Sequence, residues 1–279
     1  MNYMFSLIVM PIPLEIQRIA LLESLRLLVL GVLPLFLLFL EYRFKSRSLT
    51  RHYSSWVDNF LMVAFVPLVL FLPLKNAVLF AFDLADSGVG LFNSIVKLPL
   101  PFSFLLGILL LDFVTWFMHW LGHKIPLLWR FHQIHHNDEI LDASTTLRVH
   151  PGEYVYQASA KFLLIYAFGI SPVCIVVYSY LFIIFAAASH ISIKYPRIID
   201  KLIGWFIVTP YIHSIHHATH GNYGNVLSIW DTLFRTFRSG LTDKQIEYGI
   251  RAQGNQNKGY RFYHLFVLPF LRSRRSQPS

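Results

Sequence analysis

The stretch LLLDFVTWFMHWLGH, residues 109–123, joins an apolar run to two histidines. The run extends from about Phe102 to Trp120, close to the ~20 residues with which a helix rising about 1.5 Å per residue crosses a hydrocarbon core. His119 and His123 are four positions apart and therefore share a face of such a helix. The stretch predicts a membrane-spanning helix that ends in a pair of imidazoles.

The composition of the chain favours a membrane protein. Of its 279 residues, 55% are hydrophobic, 16% aromatic and 14% charged, whereas a soluble domain carries about 25% charged residues. The single cysteine, Cys174, lies in an apolar run, which excludes a disulfide framework and a thiolate metal site. The net charge is +9, but the basic residues flank apolar runs, so we expect anionic lipid head groups and no nucleic acid as partners.

Further apolar runs of similar length predict a multi-pass bundle. They cover about Leu21 to Leu40, Val57 to Leu74, Tyr154 to Ile170 and Pro172 to Ser189. The last two are joined at GISP and could instead form a re-entrant hairpin. The segment IGWFIVTPYI, residues 203–212, is too short to span and is predicted to lie in the membrane interface. The fold class predicted is therefore all-α, with about 4–5 spans.

The predicted organisation is one membrane domain over residues 1–279. Membrane helices occupy 1–100, a catalytic region 105–237, and a basic interfacial tail 238–279. Basic residues crowd the first connection, the region 121–151 and the C-terminal region, whereas the connection 75–101 carries two lysines against two aspartates. By the positive-inside rule, the three basic regions are cytoplasmic and the connection 75–101 is not.

Two further histidine clusters follow, HQIHH at 132–136 and HSIHH at 213–217. Each triplet fits within an arc of about 100° on a helix, and the predicted topology places all the clusters at the cytoplasmic face. Their eight imidazoles exceed what one metal ion binds, since zinc takes three or four protein ligands. Shared between two ions, they leave positions open for dioxygen or water, and imidazole suits iron, copper or zinc.

The motifs HWLGH, HQIHH and HSIHH, in this order and with a hydrophobic hairpin before the last, resemble the membrane fatty acid hydroxylase and sterol desaturase superfamily. LLLDFVTWFMHW, LRVHP and NYGNVLSIWDTLF (222–234) add to a resemblance that covers roughly residues 105–237. The resemblance implies a non-haem di-iron centre, dioxygen as co-substrate and a long-chain or sterol-like lipid as substrate. The metal ligands that it implies are His119, His123, His132, His135, His136, His190, His213, His216 and His217.

Two positions depart from the family pattern and leave the local loop shape open. Ser192 stands where the family often has asparagine, and Arg235 stands where it usually has glycine.

Polar residues outside the clusters have several interpretations. Asp112 is a carboxylate deep in an apolar span, so we predict a catalytic-site residue that orients a histidine of another cluster; the alternative is a buried polar pair between helices. Asp231 and Asn222 could orient a histidine or cap a helix. The roles of His150 and His220 stay open.

The leading functional hypothesis is an oxidoreductase that hydroxylates a lipid C–H bond, and the alternative is a lipid or sterol desaturase with the same site. Reducing equivalents are expected from a separate partner of the ferredoxin, rubredoxin or cytochrome b5 type. A metal transporter or sensor is disfavoured, because transport sites lie near the bilayer midplane. A zinc protease is excluded, because the sequence contains no H-E-x-x-H.

The orientation is tested by cysteine labelling in a Cys174→Ala background. A Thr219→Cys variant is expected to react with a membrane-impermeant thiol reagent only after cell lysis, because Thr219 follows a cytoplasmic histidine cluster. A Ser87→Cys variant is expected to react in intact cells. The opposite pattern would place the histidines at the outer face.

Overall fold

The computed structural model describes residues 14–44, 55–65, 87–94, 98–249 and 262–271. Within these ranges every regular element is helical, apart from one isolated antiparallel bridge between Ile207 and Leu227. The prediction of an all-α fold is therefore confirmed.

The described α-helices are numbered in the order in which they follow along the chain. They are α1 (Leu14–Arg43), α2 (residues 55–65), α3 (Leu91–Ser94), α4 (Leu100–Lys124), α5 (Pro126–His136), α6 (Pro151–Phe168), α7 (Pro172–Ser189), α8 (Ile198–Ile203), α9 (Pro210–Ala218), α10 (Ile229–Leu233) and α11 (Phe262–Val267). Two 3₁₀ turns, Ala143–Leu147 and Leu268–Phe270, complete them.

Three helical stretches in the described ranges are long and apolar enough to cross a bilayer: Ser24–Arg43 within α1, α4 and α7. They correspond to the first, third and fifth predicted spans. The fourth predicted span forms a helix, α6. Its polar residues lower its mean hydropathy, so α6 is not among the three stretches that are apolar enough to cross a bilayer. The second predicted span, Val57 to Leu74, is described only to residue 65. The number of spans stays a prediction.

The GISP connection makes α6 and α7 a tight helical hairpin. Gly169 ends α6 in the left-handed conformation, with φ 68° and ψ 46°, which glycine adopts without a side-chain penalty. The Ser171 hydroxyl then accepts a hydrogen bond from the backbone N–H of Cys174, and Pro172 occupies the first turn of α7. The chain thus reverses direction within three residues between the two helices.

Helix α4 lies at the centre of the bundle and packs against α5, α6 and α7, while α1 packs against α7. The apolar core between them contains Leu111, Ile165, Ile170, Cys174 and Tyr178. A Cβ atom at Gly107 would lie 2.8 Å from the Cys174 sulfur. The absent side chain therefore lets α4 and α7 approach closely.

The two ends of the helical bundle are held together by different polar contacts. At one end, Asn93 in the single turn of α3 donates a hydrogen bond to the Gly169 carbonyl at the α6–α7 turn, 3.3 Å away. At the other end, Glu41 near the end of α1 accepts the backbone N–H groups of Ala143 and Ser192, at 3.3 and 2.6 Å. The histidine clusters all lie at this second end. Which side of the membrane it faces stays a prediction.

The C-terminal helix α11 is packed onto this second end. Leu265 is fully buried against Met62 of α2 and Ile134 of α5. The predicted basic tail, residues 238–279, therefore includes a segment that packs against α5, the helix that carries HQIHH. The domain boundaries themselves stay predictions.

The α6–α7 turn gives a stability prediction with a matched control. A Cβ at Gly169 would lie 2.4 Å from the Val89 carbonyl oxygen, whereas a Cβ at Gly88, at nearly the same φ, would have no atom of a described residue within 4 Å. Gly88→Ala should therefore cost only the left-handed backbone penalty of about 1 kcal/mol. Gly169→Ala should cost a further ~1–3 kcal/mol for the overlap. Thermal unfolding in detergent, followed by tryptophan fluorescence, measures both. Equal midpoints for the two variants would contradict the turn geometry.

Candidate metal centre

The structure brings all nine predicted histidines together, and it sorts them into two groups. The five-histidine group contains His119, His123, His132, His136 and His216, and the four-histidine group contains His135, His190, His213 and His217. Within each group, one ring nitrogen of every residue lies within 4.8 Å of the others. All nine side chains are at most 7% exposed. Their assignment as metal ligands stays a prediction.

The sequence clusters do not coincide with the groups. In HQIHH, His132 and His136 are one turn apart and share a group, while His135 joins the other. In HSIHH, His213 and His217 stay together and His216 joins the first group. Neighbouring residues point about 100° apart on a helix, so each triplet contributes to both groups.

Short connections hold the histidine-bearing helix ends in place. Only Ile125, in an extended conformation, separates α4 from α5, and Pro126 starts α5. The Thr209 hydroxyl caps α9 by accepting the N–H of Ile212 at 3.3 Å. His190 is the C-cap residue of α7. The rings are therefore carried by defined helix termini and not by free loops.

Backbone carbonyls fix the orientation of several rings. The Nδ1 atoms of His119, His216 and His190 lie 2.8, 2.8 and 2.6 Å from the carbonyl oxygens of Tyr223, Gly221 and Ala186. A carbonyl oxygen can only accept, so each Nδ1 carries the proton and each Nε2 presents its lone pair to the group.

A carboxylate orients a fourth ring. The Nδ1 of His132 lies 2.8 Å from Glu153 Oε1 in the first turn of α6. Such a contact fixes the tautomer and the ring orientation of a metal-binding histidine. Glu153 was not among the residues predicted from the sequence, and the one available signal was its position two residues after the family-like LRVHP, residues 147–151.

The Nε2 atoms face one another at short distances. In the five-histidine group the Nε2 of His132 lies 3.0 Å from that of His119 and 3.1 Å from that of His136. In the four-histidine group the Nε2 of His190 lies 3.0 to 3.2 Å from those of His213, His135 and His217. Lone pairs so placed repel unless a cation lies between them.

The donor sets fit metal ions. For metal–nitrogen bonds of about 2.0–2.1 Å, the distance between adjacent donors is about 2.9 Å in an octahedral set and about 3.3 Å in a tetrahedral one. The observed separations of 3.0 to 3.2 Å fall in this range. Both ring nitrogens of His123 and the Nε2 of His216 are buried and have no hydrogen-bond partner among the described residues, so each of these rings has a nitrogen free to bind a cation.

Burial keeps the rings in the neutral form that binds metals. It lowers the pKa of His216 to about 3 and that of His190 to about 4, although the hydrogen bonds to Gly221 and Ala186 act in the opposite direction. The pKa values of His135, His213 and His217 are lowered for the same reason and by nearby imidazoles. At neutral pH their lone pairs are free for a metal ion.

Asp112 does not contact a cluster histidine. One oxygen accepts the Tyr178 hydroxyl at 3.0 Å and the other accepts the Trp230 indole N–H at 2.8 Å. No hydrogen bond between described residues joins it to a histidine, so the structure favours the alternative of a buried polar link between helices. A catalytic role for Asp112 stays a prediction.

Asp231 reaches His119 through the backbone. It accepts the backbone N–H groups of Tyr223 and Gly224, both at 2.8 Å, and the Trp116 indole N–H at 3.0 Å. It thereby fixes the segment whose Tyr223 carbonyl holds His119. Asp231 thereby helps to orient His119, which is one of the two roles that the sequence left open for it.

Two residues other than glycine adopt the left-handed conformation, one in the loop after α9 and one in the loop after α10. Asn222 has φ 55° and Arg235 has φ 59°. The Asn222 side chain donates to the Ile212 carbonyl and accepts the Arg238 N–H, at 3.1 and 2.7 Å. Arg235, where the family usually has glycine, adopts the left-handed conformation that glycine favours.

The remaining two candidates lie outside both groups. The Nδ1 of His150 caps α6 by accepting the N–H of Gly152 at 2.9 Å, which is a structural role. His220 belongs to neither group.

Comparison with known proteins identifies the region that carries the site. The family model for fatty acid hydroxylases matches residues 104–236, close to the predicted range 105–237. This range contains all nine histidines, together with Asp112, Glu153 and Asp231. No solved structure matches the chain.

Three curated relatives have names that refer to lipid oxidation. The chain is 30% identical over 184 residues to an alkylglycerol monooxygenase of Caenorhabditis elegans, covering 61% of this chain and 34% of the relative. It is 28% identical over 187 residues to an ornithine lipid hydroxylase of Rhizobium tropici, covering 64% and 54%. It is 25% identical over 152 residues to a cholesterol 25-hydroxylase of Rattus norvegicus, covering 53% and 51%. The chain thus spans between about a third and about half of the length of these relatives.

The two groups give separate predictions for metal content. His216→Ala should remove the ion of the five-histidine group and His135→Ala that of the four-histidine group, so each variant, purified anaerobically, should hold about one ion where the parent holds about two. Elemental analysis of the purified protein measures this.

A histidine outside both groups provides the control. His264 is exposed on α11, and His264→Ala should keep the full metal content. Unchanged stoichiometry in the His216→Ala and His135→Ala variants would contradict the assignment of the two groups.

Proposed function

Because the chain belongs to the fatty acid hydroxylase and sterol desaturase superfamily, we propose that it is a membrane-bound, oxygen-dependent oxidoreductase that hydroxylates a lipid C–H bond. The observation that carries the proposal is the convergence of nine buried ring systems in two groups, with lone pairs that face one another. Such a donor set suits two redox-active ions better than a structural zinc site, which is satisfied by four ligands.

The proposed cofactor is a pair of non-haem iron ions, one in each histidine group. When bound, the irons would supply the activation of dioxygen. The overall reaction consumes one C–H bond, one dioxygen, two electrons and two protons, and it gives an alcohol and water. A separate donor of the ferredoxin, rubredoxin or cytochrome b5 type would deliver the electrons.

The protein itself contributes orientation and the exclusion of water. Tyr223 is 2% exposed and its ring centre lies 5.9 and 5.6 Å from those of His119 and His216. Trp129 covers the same group from another side, 5.1 Å from His123 and 5.6 Å from His136. These aromatic rings close the five-histidine group against solvent, which strengthens every electrostatic interaction within it.

A membrane lipid is the proposed substrate. The site lies at the ends of α4 and α7, two helices apolar enough to cross a bilayer, so a lipid can approach from within the membrane. The names of the three relatives, which refer to an alkylglycerol, an ornithine lipid and cholesterol, support a long-chain or sterol-like molecule. We further propose a multi-pass arrangement with the site on the cytoplasmic face.

Desaturation remains the alternative reaction, because the same site would serve it. Hydroxylation needs one C–H bond held near the oxidant, whereas desaturation needs two held in sequence. Transport of metal ions is disfavoured, because both groups lie at helix ends and not at the middle of a span.

Labelled dioxygen distinguishes the reactions. Incubation of the reduced, iron-loaded protein with ¹⁸O₂ and membrane lipid should give a product that carries one labelled oxygen, detected by mass spectrometry. His135→Ala should abolish its formation. A product two mass units lighter and without label would identify a desaturase, and the absence of any oxidised lipid would overturn the proposal.

A further inference from the structure

A cavity of about 260 Å³ lies directly beside the four-histidine group. His190 belongs to both its lining and the histidine group, and Ser214 adjoins His213. The other walls come from the chain after α7, the start of α9 and the segment 243–248. Pockets for complete drug-sized molecules span about 300–1,000 Å³, so this space suits a polar fragment and not an entire lipid.

The cavity walls are pre-formed by their own hydrogen bonds. The Tyr195 hydroxyl donates to Asp200 at 2.5 Å and accepts the N–H of Tyr211 at 3.1 Å. The Tyr211 hydroxyl donates to the Leu241 carbonyl at 2.8 Å. Arg197 stacks over the Tyr211 ring, 3.9 Å from its centre. A ligand therefore enters without first ordering the walls, which favours binding.

The lining contains one basic side chain, Lys194, that can pair with an incoming anion. Arg197 forms ion pairs with Asp243 and Asp200. Lys194 is exposed at the cavity and forms no ion pair with any residue that the structure describes. Arg197 is already paired with two carboxylates, so Lys194 is the side chain of the lining that is free to form a charge-assisted hydrogen bond with an anionic group.

The surface next to the cavity suits the membrane interface. Helix α8 begins one residue after Arg197, and it exposes Ile198 and Leu202 by 55% and 64%, while Trp205 is 51% exposed. Exposed aliphatic residues and a tryptophan are typical of segments that lie at the level of lipid head groups. A lipid can therefore place its chains along this surface and its head group in the cavity.

We propose that this cavity binds the anionic head group, a phosphate or carboxylate, of the lipid substrate. The inference rests on the proposed function and deepens it, because it restricts the position of the reaction. A single imidazole, that of His190, lies between the cavity and the other rings of the four-histidine group. The Nε2 of His190 is 3.0 Å from the Nε2 of His213. The oxidised carbon therefore lies within a few bonds of the head group and not at the far end of the chain.

Binding of short-chain lipids to the purified, metal-loaded protein tests the site without turnover. The Kd for dioctanoyl phosphatidic acid should rise about tenfold in Lys194→Met, the loss of one charge-assisted contact. The Kd for dioctanoylglycerol should be the same in both proteins. Lys201→Met is the matched control, since Lys201 is an exposed lysine on α8 outside the lining, and it should leave both values unchanged.

Three results would overturn the inference. One is an unchanged Kd for dioctanoyl phosphatidic acid in Lys194→Met, and another is an equal rise in Lys201→Met. The third is Lys194-dependent binding of inorganic phosphate as tight as that of the lipid, which would identify a site for a free anion.

The position of the introduced oxygen separates this inference from the proposed function. Fragmentation of the product should place the labelled oxygen near the head group. Label far along the chain would refute the head-group position while hydroxylation stands. Lys194-dependent lipid binding without any oxygen incorporation would refute the reaction while the anionic lipid site stands.

Discussion

The burial of nine imidazoles against one another is the constraint on which the rest of the structure depends. Each ring must turn one lone pair towards its group, and in four of the nine rings the opposite nitrogen is held by an acceptor in an interior that excludes water. The protein supplies the carbonyl oxygens of Tyr223, Gly221 and Ala186 and the carboxylate of Glu153 for this purpose. The irregular segments of the chain around the site are shaped by that requirement.

Buried carboxylates hold these irregular segments in turn, because backbone N–H groups away from water need partners. Asp231 fixes the chain at Tyr223 and Gly224. Glu41, from the first membrane helix, joins the 3₁₀ turn at Ala143 to the chain at Ser192, two residues beyond His190. Glu41 of α1 and Asp231 of α10 thereby hold the chain segments next to the histidines in place.

The sequence predicted α1, α4 and α7 because their length and apolar composition are local properties. It also predicted the convergence of the histidines, since the spans bring the clusters to one end. It could not predict the division into five and four, because that depends on how α5 and α9 are rotated against each other. Asp112 shows the same limit: burial was evident from its surroundings, but its partners Tyr178 and Trp230 lie 66 and 118 residues further along the chain.

The position of the histidines along their helices has an electrostatic consequence. His123 lies in the last turn of α4, His135 and His136 in that of α5, and His216 and His217 in that of α9, while His190 caps α7. The carboxyl end of a helix carries roughly half an elementary negative charge, from the summed peptide dipoles. Four such ends meet at the two groups of neutral imidazoles. The backbone therefore supplies the negative potential that carboxylate ligands provide at other metal sites. A cation is attracted to these groups although none of their histidines carries a formal charge.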